Sequence, residues 1–78
     1  MEINLGIYRH YKGGEYEVVA VGRLEATLEE VVIYKSLYEV KEFPAGTIWV
    51  RPTKSFIETI DINGKTIPRF AYVEKNRV

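Results

Sequence analysis

The chain has 78 residues, 11 Lys and Arg against 11 Asp and Glu, no cysteine and a single histidine. A chain of this length is one small domain that buries roughly 60% of its unfolded surface, and lacking cysteine with only one histidine it excludes a disulfide staple, a zinc or iron–sulfur centre and a thiol nucleophile. Zero net charge argues against a strongly basic nucleic-acid module but leaves room for a local basic patch.

No apolar run is long enough to span a membrane, so no membrane association is expected. The N-terminal MEINLG is short and acidic, unlike a signal peptide, and the missing cysteines fit a reducing compartment, so the expected location is the cytoplasm.

Taken in order, residues 7–12 and 15–22 flank Gly13-Gly14. Glycine accepts the positive φ of a tight turn, so this is read as a β-hairpin. In the second strand Tyr16, Val18 and Ala20 would share one face and Glu17, Val19 and Val21 the other, which suggests a strand covered on both sides. LEATLEE contains helix formers, but Val31-Val32-Ile33-Tyr34 is β-branched and aromatic. The expectation is a turn over 25–28 and a strand over 29–37. Residues 39–46 read as a loop, and 47–51 as a strand stopped by Pro52. A single helical turn follows, with Ser55 and Glu58 at capping-box spacing and Phe56 and Ile57 facing inward. Residues 59–62 and 65–72 flank Asn63-Gly64, the strongest hairpin signal in the chain. Pro68 has no amide hydrogen, so this last strand is expected to be an edge, or bulged there. The tail, 74–78, is expected to fray beyond a core of 6–73. Together these elements predict one mainly β domain: an SH3-like or OB-like barrel of about five strands with one short helical turn.

GIYRHYKGGEY, TLEEVVIYKSLY, WVRP with SFIE, and GKTIPRF occur in that order over residues 6–70. This succession resembles the bacterial and archaeal family known as domain of unknown function 1653. The resemblance implies an SH3-like β-barrel and no assigned activity. The chain departs from the pattern in two places. Leu24, Glu25 and Ala26 stand where members carry polar residues, so part of any polar site in that turn would be lost here. Residues 41–44 lengthen the loop before WVRP.

Three of these stretches place an aromatic beside a cation, which makes either a cation–π brace or a ligand platform. The candidate ligand-binding residues are Tyr8, Arg9, His10, Lys12, Trp49, Arg51 and Arg69. Arginines would grip an anion, rings would stack, and His10 would tune binding near neutral pH. The competing structural account pairs each Arg with Glu15, Glu17, Glu29 or Glu58, lays its stem on a ring, and hydrogen-bonds His10 to the backbone or to a carboxylate such as Glu29. Trp49 is expected on the face opposite Ile48 and Val50. Glu29 and Glu30 are adjacent and would point to opposite faces, Ser36 and Ser55 lack an elbow motif, and Gly13-Gly14 lacks the helix of a phosphate loop. No catalytic residue, metal or cofactor is therefore expected. The leading expectation is a binding module for an anion, either a nucleic-acid strand or a nucleotide. The alternative is a protein-interaction or homo-oligomerisation module that uses the same surface and an edge strand at 67–71. An enzyme built on His10 and Glu29 ranks third.

Overall fold

The computed structural model describes residues 3–76. Seven strands and one helical turn follow in order: β1 (Gly6–His10), β2 (Glu15–Arg23), β3 (Glu30–Ser36), β4 (Ile48–Pro52), α1 (Thr53–Phe56), β5 (Thr59–Ile62), β6 (Lys65–Pro68) and β7 (Phe70–Glu74). Five of them form one antiparallel sheet in the order β4-β3-β2-β1-β7, and β5 and β6 form a separate hairpin. The mainly β expectation of about five strands holds for the main sheet, and the hairpin expected around Asn63-Gly64 forms the separate one. Asn63 and Gly64 both take positive φ, 51° and 79°, as a two-residue type I′ turn requires.

Cross-strand partners share a face of a sheet, so the register shows what the concave side carries. One row runs Tyr72, Tyr8, Tyr16, Ser36 and the next Gly6, Val18, Tyr34, Trp49. Val21, Val32 and Arg51 form a third, and His10 lies opposite Phe70. The core is drawn from these rows: Tyr8, Val18, Val32, Tyr34 and Phe70, closed by Phe56 of α1. No ladder joins β4 to β7 among the described residues. In a flat sheet those two edge strands would lie roughly 19 Å apart, at about 4.8 Å per strand. Instead the Arg51 guanidinium on β4 sits 5.5 Å from the centre of the Phe70 ring on β7. The sheet is curled into an incomplete barrel, and side chains close its seam.

Several expectations need correction. The second strand is not covered on both sides, because Val19 is 40% exposed. The ladder slips between Val18 and Ala20, and this bulge brings Val18 and Val21, three residues apart, onto the same side. The proposed capping box does not form. The helix begins at Thr53 behind Pro52 with no side-chain cap, and Ser55 and Glu58 instead bond to Arg51 and Arg69. Phe56 is buried but Ile57 faces outward. Strand 65–72 is broken at Arg69, where the chain leaves β5 and joins β1. Glu74, placed in the frayed tail, ends β7; residues 77 and 78 lie outside the described residues.

Gly6 tests the seam between β1 and β7. Its φ is +136°, and a Cβ there would lie 2.6 Å from the Glu74 carbonyl oxygen and 2.7 Å from that of Lys75. Neither backbone atom can move without opening the β1–β7 ladder. Gly6→Ala is expected to lower stability by about 2 kcal/mol, from conformational strain together with the clash. A urea titration followed by far-UV circular dichroism measures this. An unchanged midpoint would mean that the edge shifts freely.

Candidate functional site

Each candidate residue has a definite place. Tyr8 is a core residue, buried between Phe56 and Tyr72 in edge contacts at 5.2 and 5.3 Å, and its hydroxyl donates to the Asn4 carbonyl at 2.8 Å. Burial raises its pKa, followed by the neighbouring Tyr72 phenol. It is not free to stack on a ligand. Arg9 points to the opposite face of the sheet, where it pairs with Glu15 at 2.9 Å. Arg69 donates to the Glu58 carboxylate at 2.9 Å while its amide donates to the Glu58 carbonyl, so backbone and side chain hold the same partner. For Arg9 and Arg69, the structural account is the one observed.

Lys12 sits in the first hairpin turn with its ammonium 5.7 Å from the Tyr11 ring. That turn is longer than the glycine pair. The His10 amide donates to the Gly14 carbonyl, and the Gly13 amide donates to the His10 carbonyl. Gly13 has φ +107°, whereas a Cβ at Gly14 would meet the Tyr38 phenol and push that exposed side chain aside. The Lys12 amide also donates to His10 Nδ1 at 3.2 Å. The imidazole is thereby held as an acceptor at Nδ1, with its ring edge against Phe70 at 4.9 Å. Burial lowers its pKa first, then the positive charges of Arg69, Arg51 and Lys12. Glu29, the partner suggested for it, is in the turn beyond the far end of β2, where its amide donates to Thr27 Oγ1. His10 and Glu29 do not meet, and Ser36 is fully buried.

Trp49 and Arg51 are brought together. Successive residues of a strand alternate faces, so both lie on the concave side while Ile48 and Val50 point outward, 56% and 60% exposed. The Trp49 ring meets Phe43 edge-on at 5.2 Å. Arg51 Nε donates to the Tyr34 hydroxyl at 3.3 Å and Nη1 to Ser55 Oγ at 2.8 Å. Phe56 stacks on one face of Phe70 at 4.4 Å, which leaves the other face to Arg51. No carboxylate pairs with Arg51 among the described residues.

These two residues open on a cleft of about 270 Å³ walled by the rings of Tyr16, Tyr34, Phe43 and Trp49, with Val40 and Lys41 on its loop side. Two larger hollows, about 720 and 490 Å³, flank the first hairpin and are more open. Arg9 lines both, and its ion pair occupies it. The small cleft is the candidate site because, of these three hollows, it is the one that joins an uncompensated guanidinium to several rings. Tyr16 and Tyr38 share a hydroxyl–hydroxyl hydrogen bond at 3.1 Å, and burial raises the Tyr16 pKa, followed by that bond.

Tyr16, Tyr34, Val40, Lys41 and Phe43 were not identified from sequence. Tyr16 and Tyr34 had a usable signal, since they fall on inward positions of neighbouring strands. The loop residues had none, because only the fold brings residues 40–43 against Trp49. Val40 and Phe43 exchange two backbone hydrogen bonds, at 2.9 and 2.8 Å, which pin this loop. The turn holding Leu24, Glu25 and Ala26 lies at the other end of β2 and does not reach the cleft.

Among the described residues no cluster of His, Cys, Asp or Glu is suited to a metal ion, and no helix is long and apolar enough to cross a membrane. No curated protein matches the chain. The crystal structure of a DUF1653 protein from Bordetella bronchiseptica superimposes with a TM-score of 0.81, at 38% identity, over 92% of this chain and 88% of that one. The model of a family of proteins of unknown function, DUF1653, matches residues 6–72. The chain belongs to the DUF1653 family.

Proposed function

We propose that this protein is a small, non-catalytic cytoplasmic binding module that recognises an anionic ligand, a nucleic-acid strand or a nucleotide, through Arg51 and the rings beside it. One observation carries the proposal: Arg51 is half-buried, held by two hydroxyls and unpaired with any carboxylate among the described residues. Hydroxyls fix the guanidinium without neutralising it, so its charge remains available. Arg9 and Arg69, already paired, drop out of the recognition set. Trp49 is the sole tryptophan and reports directly on the cleft. Its fluorescence is expected to be quenched by nucleotides or single-stranded DNA, and less so at higher salt, because phosphate binding releases counterions. A flat response to every phosphate ligand at low salt would refute the proposal.

A second reading rests on a different observation. Ile48 and Val50 stand exposed on β4, an edge strand of the sheet, and exposed apolar edges suit pairing with another chain. A concentration-dependent mass in sedimentation, abolished by Val50→Lys, would support that reading.

A further inference from the structure

The cleft has features of a site for one flat ring rather than for a strand. Its volume of about 270 Å³ is just below the roughly 300–1,000 Å³ of pockets that enclose drug-sized ligands. Four aromatic walls would suit a ring of either charge, and such cages commonly take quaternary ammonium groups. Arg51 and Lys41 reverse that preference. Lys41 adds a second clue, since it holds φ +55° without being glycine. This conformation costs an ordinary residue roughly 1–2 kcal/mol. Glycine would serve the turn better, whereas lysine places a cation on the rim. A strand would need a track of cations leading away from the cleft. The two arginines that flank it in the sequence pattern do not supply one: Arg9 faces the other side with Glu15, and Arg69 is held by Glu58.

Building on the anion-binding reading above, we propose that the cleft is a mononucleotide site. One base lies among Phe43, Trp49 and Tyr16, and its single phosphate is bound by Arg51 and Lys41. Recognition is by stacking and charge, and it extends no further along a chain of nucleotides.

The test is Trp49 fluorescence with four probes: adenosine monophosphate, adenosine, inorganic phosphate, and an oligothymidylate of about twelve nucleotides, long enough to fill a strand-tracking site. The monophosphate should bind at least about tenfold tighter than adenosine or phosphate alone, a factor worth about 1.4 kcal/mol. The oligonucleotide should gain nothing beyond the number of its nucleotides. For the oligonucleotide, the logarithm of the binding constant should fall with log salt by only about 0.7, the slope for one phosphate contact on a single strand. Phe43→Ala, at a site 48% exposed, should leave folding intact and weaken the monophosphate about tenfold. Tight, steeply salt-dependent oligonucleotide binding with no response to the monophosphate would overturn the one-ring site and leave anion binding standing. Silence from all four probes would overturn both. Monophosphate binding unaffected by Phe43→Ala and Arg51→Met would place the ligand elsewhere and overturn the site.

Discussion

Phe56→Ala is expected to destabilise the fold by about 3–5 kcal/mol, the range for removing a buried phenylalanine. Phe56 is 2% exposed. It stacks flat on Phe70 at 4.4 Å with 7° between the planes, and it meets Tyr8 and Tyr34 at 5.2 and 5.7 Å. It is also the inward-facing aromatic of α1, so its loss detaches that turn from the core as well as leaving a cavity. A small domain holds about 5–15 kcal/mol in total, and this one has no disulfide to fall back on. The urea midpoint should therefore drop by about a fifth or more, with the slope unchanged if unfolding stays two-state. Phe56→Leu should recover more than half of the loss because it refills most of the volume. A loss below about 1 kcal/mol for the alanine variant would mean that the curled sheet stands without its plug.

The strands were legible in the sequence because local rules set them. Asn63-Gly64 admits one kind of turn, and Val31 to Tyr34 is a run suited to a pleated strand. The alternation in IWVRP put Trp49 on the face opposite Ile48 and Val50, as found. Two kinds of feature were not legible. The bulge at Val19 depends on how β2 meets β3, and without it the parity assigned to Val21 comes out reversed. The break at Arg69 depends on its double attachment to Glu58, a residue that spacing alone made look like a helix cap. The candidate site was half legible for the same reason. Cation beside aromatic is a local pattern, but whether a cation is spent on a carboxylate is a tertiary fact. Arg9, Arg51 and Arg69 look alike in sequence. They differ because Glu15 lies across the strand from the first and Glu58 beside the third, while the second faces hydroxyls.

Arg51 is the residue on which fold and function compete, and Arg51→Met separates them. The thioether stem can still cover Phe70 and bridge the seam between β4 and β7, but the charge and both N–H donors are gone. The hydroxyls of Tyr34 and Ser55 lose a donor but can reorient, so the expected stability loss is about 1 kcal/mol. Relief from holding an unpaired guanidinium half-buried opposes even that loss. Anion binding read at Trp49 should fall about 100-fold, equivalent to about 2.8 kcal/mol. Arg51→Lys should sit between the two, because an ammonium restores the charge but not the fixed pair of N–H directions that a phosphate meets. This ordering (wild type, then Lys, then Met) is the signature of a binding cation. A seam brace gives a different one: Arg51→Met would then lower the urea midpoint by the equivalent of about 3 kcal/mol, the upper value for a charged hydrogen bond, and no phosphate ligand would quench Trp49 even in the wild type. Comparing the two readouts on the same three proteins decides whether the uncompensated guanidinium is kept for a ligand or for closing the barrel.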